Sequence, residues 1–149
     1  MDLEDAFNLI NRIENLPQIY DEIEKAICSV VHSYFQELLE VEEQEAVIMG
    51  KENYERSELT PYLNKKSEIH NKYWSNSAKF YQPCSSSSSP EHIWECLSDI
   101  EVLQNGDDEN NLYIFKAKSK NPDNGLLTNK AFLLKLEDDK LLIEHEFFG

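Results

Sequence analysis

Histidine and tyrosine side chains are the groups in this 149-residue chain best suited to acid–base chemistry. His70 and Tyr73 stand three residues apart, so a helix places both side chains on one face. Beside a carboxylate such as Glu101 or Glu144, these two residues and His145 are candidates for an acid–base pair at the rim of a pocket. A nearby carboxylate raises the pKa of a histidine in a buried salt bridge as well as in a catalyst. Both interpretations therefore stay open.

Recognised catalytic and cofactor motifs are absent from the sequence. It has no P-loop, no GxGxxG, no HExxH and no GxSxG, and its four glycines are too few for a glycine-rich phosphate loop. The four histidines have unrelated spacings, and the three cysteines form no CxxC pair. Cys84 lies in a serine run with no histidine base beside it. These observations predict free thiols and a protein with no catalytic residues, cofactor or metal.

Charge is the unusual property of the composition. The chain has 29 acidic and 14 basic residues, for a formal net charge of -15. Such a surface repels phosphate backbones and anionic membranes, so neither nucleic acid nor a membrane is expected as a partner. A basic protein would be attracted and guided to its site. Solubility alone also accounts for the charge.

Two acidic clusters in the second half of the chain are the candidate partner-binding residues. Both occupy predicted turns, where aspartate is also favoured for its backbone conformation, so a purely local role is the competing interpretation. The clusters are a loop with Asp107, Asp108 and Glu109 and a turn with Glu137, Asp138 and Asp139.

Helical periodicity dominates the first half of the chain. Apolar residues from Leu3 to Ile13 predict one helix, and a second, long amphipathic helix follows Pro17 and ends before Gly50. The acidic run Glu40–Glu45 is interpreted as a solvated helix face, with an acidic docking surface as the alternative. A third helix is predicted over Tyr62–Trp74, with Thr60 as its N-cap and Pro61 in its first turn.

The second half of the chain alternates with the period of strands. A proline- and serine-rich loop over 82–91 precedes it, and Cys96–Asp99 is a predicted bulge or bend within the first strand. Three turn signals separate the strands, which predicts an antiparallel meander. The predicted strands are His92–Gln104, Leu112–Lys118, Thr128–Leu136 and Lys140–Phe148.

This order of elements predicts an α+β domain with N-terminal helices packed on a strongly curved antiparallel sheet. We expect one domain over 1–149, with helices in 1–75, a loop over 82–91 and strands in 92–148. The acidic start of the chain is neither a signal peptide nor a transit peptide, and no apolar stretch is long enough to span a membrane. The expected location is therefore the cytoplasm.

The closing hairpin carries a resemblance to a known family. An apolar strand, a charged turn and an apolar final strand, Asn129 to Ile143, resemble the end of the cone-shaped nuclear-transport-factor-2-like (cystatin-like) fold. The stretch Ile69–Trp74 and the stretch Ala78–Tyr81, with the proline- and serine-rich loop after them, are similar to bacterial immunity proteins of that fold. These proteins are the antitoxins of polymorphic toxin systems.

The resemblance implies a protein that binds and neutralises a cognate toxin by protein–protein contact, and the fold also allows a homodimer. The negative net charge of the chain further suggests that this toxin is a basic, nuclease-like protein. The alternative is a small-molecule isomerase, dehydratase or ligand-binding protein that uses a pocket in the cone. A pocket lined by His70 and Tyr73 would favour the enzyme. An interior filled by apolar side chains would favour the binding protein. The side chains expected to fill it are Phe115, Phe132, Leu134 and Ile143.

Overall fold

A computed structural model describes residues 19–75, 90–105 and 111–148 of the chain. The described elements are two α-helices and four β-strands, so the α+β prediction is confirmed. The helix predicted over Leu3–Ile13, the residues around Cys84 and the loop with Asp107, Asp108 and Glu109 lie outside the described residues. The described residues contain no helix that is long and apolar enough to cross a membrane.

The chain folds into two compact units. Of the described residues, the first unit contains those up to Val30 and those from Glu95 onward, and the second contains those between Val31 and Trp94. Helix α1, Ile19–Met49, begins in the first unit and ends in the second. Its last residue, Met49, immediately precedes Gly50, as the sequence predicts, and the Gly50 backbone N–H still donates to Ala46 O at 3.0 Å.

Helix α2 of the second unit spans Thr60–Tyr73. Its N-cap is Leu59, one residue before the predicted cap, and Thr60 is already helical. The preceding residues form a 3₁₀ turn, Arg56–Glu58, which leads directly into the helix. Backbone N–H groups of Tyr62 and Leu63 donate to Leu59 O at 3.1 Å, so the helix start needs no side-chain cap. The helix ends at Trp74, which returns to an extended backbone.

The first unit contains a four-stranded antiparallel meander in the order β1-β2-β3-β4. Each strand pairs with its neighbour in the sequence, as the three turn signals predict. Phe115 of β2 lies opposite Phe132 of β3, and both side chains are fully buried. The strands are β1 Leu97–Asn105, β2 Leu112–Lys120, β3 Leu127–Glu137 and β4 Lys140–Phe148.

Strand β1 is shorter than predicted. The expected strand start at His92 is wrong, because Trp94–Cys96 form a 3₁₀ turn and the strand begins at Leu97. The expected irregularity is present: the register shifts between Ser98 and Glu101, and Asp99 has a φ of 51°. A second shift lies between Leu133 and Leu134, where β3 pairs with β4. Irregularities of this kind bend strands locally.

Candidate functional site

Buried charged groups of the second unit form the candidate site. Glu42 and Glu45 of α1 are 3% and 0% exposed, so the interpretation of Glu40–Glu45 as a solvated helix face is wrong for these two residues. Glu40 and Glu43 are exposed, as expected. Glu42 follows buried Leu38 by four residues, and Glu45 follows buried Val41 by four. The helical phase therefore places both carboxylates on the buried stripe.

Glu42 connects α1 to the segment at residues 91–92. Its carboxylate accepts the backbone N–H groups of Glu91 at 3.2 Å and of His92 at 3.0 Å. The Nδ1 atom of His92 lies 3.1 Å from the same carboxylate. The imidazole ring also makes an edge contact with Phe35, at 5.1 Å between ring centroids. One buried carboxylate thus fixes both the backbone and the side chain of His92.

The pKa of Glu42 is lowered despite burial. Burial raises the pKa, but hydrogen bonds and charge from His92, together with the Glu91 and His92 backbone N–H groups, outweigh that effect. The charged carboxylate is therefore the form that the fold stabilises.

Acid should remove this contribution of Glu42 to stability. Because its pKa is lower in the folded than in the unfolded state, the contribution is complete above the ordinary carboxyl range. It is lost as the pH falls through the lowered folded-state pKa. Urea denaturation between about pH 2 and pH 7 measures this loss, since unperturbed glutamate titrates near 4.3.

The matched variant is Glu42→Gln, which keeps the size of the side chain and removes its charge. We expect E42Q to be less stable than the wild type at pH 7 and nearly equal to it below the folded-state pKa. A difference between the two proteins that stays constant across this pH range would contradict the assignment.

Glu45 and Lys66 form a buried ion pair between α1 and α2. The Lys66 side chain is 9% exposed and the Glu45 side chain 0%. Lys66 follows Leu59 by seven residues, and His70 follows Lys66 by four, so all three share the buried stripe of α2. Buried charges of this kind persist when an opposite charge faces them.

Tyr73 forms a third polar contact between the two helices. Its hydroxyl donates a hydrogen bond to Glu37 of α1, and Lys72 Nζ lies 3.1 Å from Glu37 Oε1. Burial raises the pKa of Tyr73, and the hydrogen bond to Glu37 raises it further. The phenol therefore stays protonated at neutral pH and acts as a donor. Hydrogen bonding to Glu37 also raises the pKa of Lys72.

His70, the other pocket candidate on α2, is 1% exposed. Its ring stacks on Trp74, with 4.6 Å between centroids and 16° between planes. His70 and Tyr73 thus share α2 but have different partners. Tyr73 pairs with Glu37, a carboxylate that the sequence analysis did not nominate.

The remaining pocket candidates, His145 and Glu101, lie in the sheet of the first unit. Glu101 pairs with Lys116 on the neighbouring strand at 3.1 Å. His145 lies opposite Leu133, and its ring makes an edge contact with Phe147 at 4.8 Å. The proposed acid–base roles of these residues remain predictions.

The acidic turn between β3 and β4 is fully described. Glu137, Asp138 and Asp139 are exposed, and the two aspartates have φ values of 50° and 62°. Two successive residues with positive φ make the hairpin turn that matches strand twist, and aspartate tolerates this conformation. The turn geometry explains the residue types, and the carboxylates remain free to face a partner.

Metal binding has no structural support in the described part of the chain: it contains no group of three or more histidine, cysteine or carboxylate side chains that could hold an ion. The buried groups instead pair with one another within unit two. The arrangement therefore holds α1, α2 and residues 91–92 together by charge.

Comparison with protein-family models, with curated proteins and with solved structures finds no match to this chain.

Helical phase was the signal that sequence analysis overlooked at this site. The glutamates were interpreted as one acidic run, although their spacing from Leu38 and Val41 separates Glu42 and Glu45 from Glu40 and Glu43. Lys66 shares the phase of Leu59 and His70 in the same way. No sequence signal pairs Glu42 with His92, since 50 residues separate them.

Proposed function

We propose that this chain is an immunity protein that binds a toxin in the cytoplasm of the producing cell and neutralises it by protein–protein contact. This proposal is supported by two resemblances. The closing hairpin resembles the end of the nuclear-transport-factor-2-like fold, and the Ile69–Trp74 stretch is similar to bacterial immunity proteins of that fold. The same resemblances support a cone-shaped, nuclear-transport-factor-2-like arrangement of the curved sheet.

The observation that carries the proposal is the filling of the sheet interior. Phe115, Phe132, Leu134 and Ile143 are each 0% exposed. These are the positions at which an enzyme of the proposed fold would need open space for a small substrate. Bulky apolar groups fill those positions, while the acids of the β3–β4 turn face solvent. This distribution favours recognition at the outer surface.

Net charge supports a basic partner. With a formal charge of -15, the chain attracts a cationic surface over several ångströms and speeds the encounter at low ionic strength. A nuclease that binds phosphate backbones carries such a surface. An acidic protein that covers this surface blocks access of the substrate and needs no turnover.

The proposal requires a toxin gene beside the gene for this chain, and neutralisation of the product of that gene is the direct test. The purified chain should form a complex with that toxin in isothermal titration and should restore growth when the two are expressed together. A matched experiment uses the toxin from an unrelated system, which should not bind. Growth arrest that persists despite full expression of the folded chain would contradict the proposal.

The β3–β4 turn allows its charge to be changed without straining the backbone. Asp138→Asn with Asp139→Gly removes two negative charges and installs residues that favour the same turn. If this turn faces a basic toxin, the association rate in low salt should fall by about tenfold, and the salt dependence should flatten. Stopped-flow mixing at several salt concentrations measures both quantities.

A matched control removes the same charge elsewhere. Glu52 and Glu68 are both exposed in the second unit, so E52Q with E68Q changes net charge equally. Equal slowing in the two double variants would show that net charge acts alone and that the turn has no specific contact.

The alternative function is an isomerase, a dehydratase or a ligand-binding protein. The partly buried Tyr73 hydroxyl, paired with Glu37, is the observation that favours it, since a phenol beside a carboxylate is a polar group of the kind that orients a small ligand. Tyr73→Phe would abolish turnover in that case but would leave toxin binding intact if the immunity proposal is correct.

A further inference from the structure

Two adjacent leucines at the β2–β3 hairpin stand exposed. Leu126 is 65% and Leu127 61% exposed. Among the large apolar side chains of the described residues, only Val47, at 70%, is as exposed as these two. Exposed apolar surface of this kind marks sites of protein–protein contact when it is clustered, whereas single exposed apolar side chains are ordinary.

Hydrogen bonds order the loop that presents these leucines. Asn121 Oδ1 accepts the backbone N–H of Asp123 at 2.8 Å and of Asn124 at 3.3 Å. The N–H of Leu126 donates to Asn124 Oδ1 at 2.9 Å, and Leu126 O accepts the N–H of Asn121 at 2.8 Å. A loop fixed in this way loses little conformational entropy when it binds, so its leucines are suitable anchors.

The surroundings of the leucines differ in charge from the rest of the chain. Residues 112–135 contain one acid, Asp123, and five lysines. Lys120 pairs in register with Leu127, and Lys118 lies two residues before it, so all three side chains share one face of the hairpin. Lys118 contacts Asp99 at 3.4 Å, yet its side chain remains 53% exposed.

A surface of complementary chemistry lies on α1. Val47 follows Glu43 by four residues and Glu40 by seven, so the three side chains form one stripe of the helix. All three are exposed. This stripe thus offers an apolar contact beside two negative charges, and the hairpin tip offers apolar contacts beside Lys120 and beside Lys118, whose charge is shared with Asp99.

We propose that copies of this chain associate head to tail, with the β2–β3 hairpin tip of one copy on the Val47 stripe of a second copy. Charge complementarity selects this occupant. A hairpin facing the same hairpin of another copy would place lysine against lysine. A head-to-tail contact uses two different surfaces, so it extends to further copies unless the geometry closes a ring. This association is independent of toxin binding.

Analytical ultracentrifugation of the purified chain tests the proposal. The average mass should rise with protein concentration at about 0.1 M salt, where repulsion between copies of net charge -15 is screened beyond about 10 Å, and should fall toward the monomer at about 1 M salt, where the contact itself is screened. Leu126→Ser with Leu127→Ser should weaken association by about tenfold or more, since each leucine loses its apolar burial. Circular dichroism confirms that this double variant, changed only at exposed positions, is folded.

Charge exchange tests the pairing of the two surfaces. K118E with K120E should abolish association, and so should E40K with E43K. An equimolar mixture of the two variants should associate again, because each altered surface then meets its complement. Lys65→Glu is the control, because Lys65 is exposed on α2 and lies outside both surfaces. It should change association far less than either double variant.

Three results would overturn the proposal. One is a wild-type chain that stays monomeric at every concentration and salt. Another is association that persists undiminished in the double-leucine variant. The third is a charge-exchange mixture that stays monomeric.

Discussion

Replacing Glu45 with alanine lowers the free energy of unfolding by about 3 to 5 kcal/mol, the usual effect of removing one partner of a buried ion pair. The carboxylate is fully buried, and the ammonium of Lys66 that faces it is only 9% exposed. The truncation leaves that positive charge in the interior without the opposite charge that compensates it. Urea denaturation at pH 7 measures the loss, with the slope of the transition checked for two-state behaviour.

The double variant E45M with K66M separates the charge effect from lost packing. It replaces both charged groups with apolar ones of similar length, and such exchanges are often neutral or stabilising. We therefore expect E45M/K66M to recover most of the stability that E45A loses. If the double variant has as low a free energy of unfolding as E45A, the loss in E45A comes from packing and the ion pair contributes little.

Phe132→Ala is the second substitution for which we expect a large loss of folding stability. The ring is 0% exposed at the centre of the sheet, opposite Phe115 and with 6.3 Å between the two centroids. Its removal leaves a cavity, and phenylalanine-to-alanine changes in cores cost about 3 to 5 kcal/mol. Thermal and urea denaturation should agree on the loss.

Leu127→Ala on the same strand is the matched control. That leucine is 61% exposed, so its truncation should change stability by no more than about 0.5 kcal/mol. Comparable losses for F132A and L127A would contradict the assignment of Phe132 to the interior of the sheet.

Local patterns predicted the elements of this fold well. Strand β4 spans Lys140–Phe148 as expected, and α1 ends immediately before Gly50. Strand alternation and turn residues act between neighbours in the sequence, so they can be interpreted without knowledge of the rest of the fold. The start of β1 was misplaced because the 3₁₀ turn is only three residues long, too short for its period of three to be distinguished from the period of two of a strand.

The candidate site was harder to predict because its contacts join distant parts of the chain. His70 and Tyr73 were nominated by their spacing on α2, but the partner of Tyr73 is Glu37, 36 residues earlier. The acidic run on α1 concealed two buried carboxylates because charge alone does not show which side of a helix a residue occupies. Their phase relative to the apolar stripe carries that information.

The meander order of the sheet has a kinetic consequence. Every strand pairs with the next strand along the chain, so sheet formation closes only short loops. Chains rich in such local contacts reach their transition state quickly. In the second unit, by contrast, Glu42 must find His92 across 50 residues, which costs more loop-closure entropy. The sheet is thus expected to form before the Glu42–His92 contact, which belongs to the slower events that complete the native state.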